Sequence, residues 1–246
     1  MYIFDLDFGL SNAFRISHVI VAIMWMGLLW FFNFVQVPAY AQMDAGARNE
    51  AFDKLTWRAL WWFRWAAIAT LITGIFIIGA ASDLYNGDFW KSSAGVTLLI
   101  GIIMGFVMAA NVWMVIWPNQ QIVIANARNL LAGGEADPNA AGAARAAAMA
   151  SRQNTIFSLP LIVFMVGTSH FYGSFHFANG STGKAMLYLL IGIVIVAVLE
   201  LNALGMISGR GNTGLNWIYE THINAMYTGL GLIAFFYVFA EIILRA

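Results

Sequence analysis

The chain has 246 residues, 61% of them hydrophobic and 10% charged, with no net formal charge and a mean hydropathy of +0.75. A soluble domain carries roughly 25% charged residues, so this composition belongs to a polytopic membrane protein. The balanced charge excludes a phosphate-neutralising surface for nucleic acid. The absence of cysteine excludes disulfides, iron–sulfur clusters and a covalently attached c-type haem.

Six apolar stretches approach the roughly 20 residues needed to cross a bilayer core: 16–40, 60–81, 94–117, 155–171, 185–207 and 218–244. The expected fold is all-α, a single membrane domain over 1–246 built as a bundle of about six transmembrane helices. The first stretch lacks the basic flank and small-residue cleavage site of a signal peptide, so it is read as a retained span. It opens on His18, with Ala22 and Trp25 on the same helix face one and two turns later. The second carries Arg58 and Arg64 among Trp57, Trp61, Trp62 and Trp65, a setting for cation–π stacking or for snorkelling to anionic lipid. Asn33 and Gln36 in the first stretch and Asn111 in the third are polar positions suited to hydrogen bonds between helices. Gly101-x-x-x-Gly105 in the third is a close-packing signature.

Between the third and fourth stretches, residues 119–153 read as a helical extension, a Gly-Gly and Asp-Pro break, and an Ala-rich surface helix. Pro160 lies inside the fourth stretch, where neighbouring helices can re-satisfy the carbonyl it frees. That stretch closes with Gly167 and His170, and His176 follows. The fifth contains Glu200, and the sixth opens near His222. Arg48, Lys54, Arg58, Arg64, Arg128, Arg145, Arg152 and Arg210 fall on one side, against Arg15, Lys91, Lys184 and Arg245 on the other. That asymmetry predicts both termini outside.

Alternating crossings put the start of span one and the end of span four on the same side, which brings His18 and His170 to one depth. Two imidazoles level with each other predict a haem b held through its iron by His18 and His170, with Trp25 and Gly167 lining it. The plainer alternative is an interfacial histidine bonded to a carbonyl or headgroup. His176 could replace His170, contact a propionate or be solvated. Glu200, with His222 and Arg64 at matching depth, forms a second candidate, a proton or substrate site or a structural ion pair. His222 could also serve a second haem.

Several ordered motifs carry a resemblance. They are His18 through Trp25-Met26-Gly27 to Phe34-Val35-Gln36-Val37-Pro38, then Leu60-Trp61-Trp62-Phe63-Arg64-Trp65, and Asn111-Val112-Trp113-Met114-Val115-Ile116-Trp117-Pro118-Asn119-Gln120. The last is Ser151-Arg152-Gln153-Asn154-Thr155 through Pro160 to Ser169-His170-Phe171. Together they resemble the membrane-spanning N-terminal domain of bacterial membrane-bound urate oxidases. The first span is also similar to the haem-b helix of membrane protoporphyrinogen oxidases. The urate oxidase resemblance implies a bacterial inner-membrane oxidoreductase whose electrons leave through a C-terminal cytochrome c. No cysteine for that cytochrome is present, so a separate cytochrome c or a respiratory-complex subunit is the expected acceptor. Whether the chain itself oxidises urate or quinol is left open. The alternatives are a cofactor-free structural subunit of a membrane complex and, last, a proton-coupled transporter, which no inverted repeat supports.

Overall fold

A computed structural model describes residues 9–80, 87–170 and 181–244. Phe171, His176 and the side chain of His170 lie outside the described residues. The described residues form six long helices: α1 (Ser11–Gln42), α2 (Ala45–Ala80), α3 (Ser93–Leu131), α4 (Ala140–His170), α5 (Thr182–Ala203) and α6 (His222–Leu244). A short 3-10 turn, Gly214–Tyr219, precedes α6. Five of the six, all but α4, are long and apolar enough to cross a membrane.

The helices outrun the apolar stretches because their polar ends are helical too. α1 and α3 each contain a wide π turn, Phe31–Gln36 and Asn111–Ile116, directly before a segment with proline in its first turn. Proline lacks the N–H of the regular ladder and its ring crowds the carbonyl four residues back. Widening the preceding turn relieves that crowding, and both helices run on through Pro38 and Pro118.

α4 is the central helix. Gln153, Asn154, Thr155, Ile156, Phe157 and Ser158 are all fully buried. The Ala-rich run is not a surface helix, as the sequence suggested, but the first half of α4. Ala143, Ala146, Ala147 and Ala150 are buried with Val123, Ile124 and Ala127 of α3. Alanine is a strong helix former, and its small side chain lets two helices approach closely, so a run that reads as a surface helix by composition is buried here.

Close approach recurs on the other faces of α4. Gly101 and Gly105 of α3 meet Phe164 and Leu161. A Cβ at Gly229 of α6 would lie 2.9 Å from the Ile156 carbonyl oxygen. That carbonyl is the one Pro160 leaves without its helical donor. The neighbouring helix thus meets the freed carbonyl with a glycine backbone, in the spirit of a weak Cα–H···O contact.

The direction of α4 sets the levels of the bundle. Trp30 Nε1 donates to Ser158 Oγ at 2.9 Å, and Asn33 Nδ2 donates to Ser151 Oγ at 2.9 Å. Higher numbers on α1 meet lower numbers on α4, so the two run antiparallel. Twelve residues separate His18 from Trp30, and twelve separate Ser158 from His170. At 1.5 Å per residue each run rises about 18 Å, so the backbones of His18 and His170 share a level at one end of the bundle.

Candidate functional site

Two groups of polar side chains stand out, one at the His18 end and one toward the opposite end. At the first, α1 packs along α2, and His18 is half-buried over Gly74, where a Cβ would come within 3.2 Å of the imidazole Cε1. A Cβ there would press the ring to give by a few tenths of an ångström. His18 Nδ1 lies 3.0 Å from Thr73 Oγ1. The single Thr73 hydroxyl proton points to its own helix, to the Ala69 carbonyl at 2.7 Å and the Thr70 carbonyl at 3.1 Å. Toward His18, therefore, Thr73 is an acceptor, and the Thr70 carbonyl is a second acceptor beside the ring. Thr73, accepting at Nδ1, calls for the proton on that nitrogen. The neutral imidazole then presents a bare Nε2 lone pair, the arrangement in which a ligating histidine is oriented by the hydrogen bond of its other nitrogen. Trp25, two turns on, is buried. Gly167 of α4 is buried near the same end.

The second group joins α3, α4 and α5. The Asn111 amide nitrogen donates to Glu200 Oε2 at 2.9 Å and to Asn154 Oδ1 at 3.0 Å, while Asn154 Nδ2 donates to the Met108 carbonyl at 2.9 Å. Both Asn111 protons are thereby used. The π turn that begins at Asn111 is consistent with the frequent placement of such turns at functional sites. Beside the last turns of α5, Tyr219 of the 3-10 turn is fully buried, its hydroxyl 2.7 Å from Gln153 Oε1 and 2.9 Å from the Leu199 carbonyl. Burial pushes the Tyr219 phenol well above its ordinary range; Asn202 counters this and Glu200 reinforces it. The residue stays a neutral hydroxyl. Asn202 Nδ2 donates to Asn216 Oδ1 at 3.1 Å, and Asn216 Nδ2 donates to the Gly209 and Gly211 carbonyls.

Arginines of α4 fasten the segment that carries Tyr219. Arg145 holds Glu220 with both terminal nitrogens, at 2.5 and 3.3 Å, and donates to the Arg210 carbonyl. Arg152 donates to the Tyr219 and Glu220 carbonyls. Burial lowers the Arg152 guanidinium from its ordinary value, with Glu220 opposing the shift and Arg145 adding to it.

The residues matched to Glu200 by depth are elsewhere in azimuth. Glu200 takes its hydrogen bond from Asn111 and makes none to His222 or Arg64 among the described residues. The His222 ring packs edge-on against Phe34 of α1. Arg64 stacks on Trp113 and Trp117 of α3, 3.9 Å from the Trp117 ring centre, and on Trp65. Arg58 is exposed, and Arg128 takes the equivalent place over Trp57 while pairing with Asp53. Thr73, Gln153, Asn154 and Tyr219 were not singled out by residue type. The polar run 151–155 inside an apolar chain was the available signal for two of them.

A family model described as urate oxidase N-terminal matches residues 84–226. The matched segment contains Asn111, Asn154, Glu200 and Tyr219, and leaves His18 and Arg64 outside. No curated protein and no solved structure matches the chain significantly.

Proposed function

The chain belongs to the urate oxidase N-terminal family, and on that premise we propose that it is the haem-b-carrying membrane unit of a urate-oxidising system. In this reading it hands electrons to a cytochrome c or a partner subunit. The observation that carries the reading is the hydrogen bond between His18 Nδ1 and Thr73, which leaves Nε2 without a hydrogen bond among the described residues. The residues at this end suit the group. His18 would supply one axial nitrogen, Thr73 would hold the ring angle, and Gly74 gives the imidazole its seat. His170, whose backbone is level with His18, is the proposed second ligand. Arg15, three residues before His18 and bonded through Nε to Ser11, is the nearest cation on the same helix for a propionate. Haem b, when bound, supplies a one-electron couple tuned by axial ligation and burial.

The test is a dithionite-reduced minus oxidised spectrum with a pyridine haemochrome assay on protein from haem-replete cells. A stoichiometric b-type signal is expected, lost in His18→Ala and in His170→Ala and kept in His222→Ala. Folded wild-type protein without haem, or haem retained in both His18→Ala and His170→Ala, overturns the assignment. The absence of haem would favour the structural-subunit reading, which the dense polar seam along α4 also suits. Given haem, urate added with a c-type cytochrome should reduce that cytochrome.

A further inference from the structure

The ionisable side chain that this scheme does not use is Glu200, on the last turn of α5. Its surroundings contain two polar atoms whose needs the protein does not meet. Asn216 is fixed in orientation, because its Nδ2 serves the Gly209 and Gly211 carbonyls, so its Oδ1 requires a donor. That donor is Asn202 Nδ2, which fixes the Asn202 amide in turn. Asn202 Oδ1 is then a fully buried acceptor without a donor. Gln153 has the complementary problem. Its Oε1 faces the Tyr219 hydroxyl, and its Nε2 is a buried donor with no acceptor. Turning the Gln153 amide over only moves the deficit from nitrogen to oxygen. Leaving such groups unmet is costly, and buried water is the usual remedy where several polar partners converge.

The Tyr219 hydroxyl faces two acceptors, Gln153 Oε1 and the Leu199 carbonyl, with a single proton to give. It can therefore swing between them, as a proton-relaying hydroxyl must. From Tyr219 outward, Asn202 and Asn216 lead to the Gly209 and Gly211 carbonyls, whose residues are exposed. We propose that Glu200 exchanges a proton with the aqueous phase on the face carrying residues 204–221, by way of the Tyr219 hydroxyl and water held by Gln153 and Asn202.

The step conserves charge simply. A proton from bulk water passes along the hydroxyl and bound water to the Glu200 carboxylate, and returns by the same route. The ionisable groups of every neighbouring element agree with such a role. α3 offers none over 93–116, only the Asn111 amide. α4 offers Arg145 and Arg152, engaged by Glu220 and by the carbonyls of 219 and 220. α6 offers His222, turned to Phe34, with Tyr227, Tyr237 and Glu241 farther along it. Lys91 and Asp88 belong to the segment leading into α3, at the other end of α5. Among the described residues no cation pairs with Glu200, so its charge can change.

The test uses the full chain in lipid nanodiscs and infrared spectroscopy under D2O perfusion. A protonated-carboxyl stretch that disappears in Glu200→Gln is expected. Its hydrogen–deuterium exchange should slow about tenfold or more in Tyr219→Phe and keep the wild-type rate in His222→Ala. Should a variant fail to fold, dicyclohexylcarbodiimide labelling of the unaltered protein decides, since only the protonated acid reacts. Labelling at Glu200 that declines as pH rises supports the route. An unlabelled Glu200 at every pH where the protein stays folded, or an exchange rate indifferent to Tyr219→Phe, overturns it. Neither readout needs haem, so failure here is distinct from failure of the haem assignment.

Discussion

The two polar regions of this bundle are built on opposite plans. Around Asn111, side-chain amides are spent on one another: both Asn111 protons, both ends of Asn154 and one Glu200 oxygen are engaged across three helices. At His18 one nitrogen is held by a threonine on the neighbouring helix, and the other makes no hydrogen bond among the described residues. The first arrangement locks helices to each other, and the second aims a single group. Hydrogen bonds shared among three helices fix their packing, while a single bond to one side chain fixes the direction of a ring.

Substitutions at each region separate these roles. Asn154→Leu should have the largest effect, because it strands the Met108 carbonyl and one Asn111 proton in the core. A loss of about 3 kcal/mol is expected, read as a lower unfolding midpoint in detergent. Equal stability would mean that the amides are not what fastens α3 to α4. Thr73→Val keeps shape and removes the acceptor for His18. Haem affinity should fall about 10- to 100-fold with the unfolding midpoint nearly unchanged; a large stability loss with intact haem binding would reverse the roles drawn here. Gly229→Ala should cost about 1–3 kcal/mol, because its new methyl meets a backbone oxygen that cannot rotate away. Gly105→Ala, with only a Leu161 methyl 3.6 Å from its Cβ, is the control and should be close to neutral in the same melts.

Depth was legible in the sequence, and azimuth was not. Alternating crossings sufficed to bring the His18 and His170 backbones to one level, which the Trp30–Ser158 contact now supports. The same reasoning offered His222 and Arg64 to Glu200, and there it lacked the deciding information. Which side of a helix faces which neighbour depends on packing, and packing gave Glu200 to Asn111, Arg64 to indoles and His222 to Phe34. Polar residues misled where they are satisfied inside the protein. Arg152, Gln153 and the alanines before them read as a surface helix, yet they belong to the central helix and much of that stretch is buried. Asn33 and Asn111 were readable as interhelical donors because an amide within an apolar span has few other options.

The wide turn in α3 has a consequence for what kind of change the chain can absorb. A π turn accommodates about one residue more than an α turn, and one residue corresponds to about 100° around the axis. Up to Asn111 the rod is phased to α4 and α5; past it, Trp117 and Arg128 also meet Arg64, Trp57 and Asp53 of α2, while Val123, Ile124 and Ala127 stay buried toward α4. The helix works as a shaft with a keyed step. Its length between Asn111 and Trp117 is therefore as binding a specification as its chemistry: losing one residue there would leave every side chain in place along the sequence and turn half of them away from their partners.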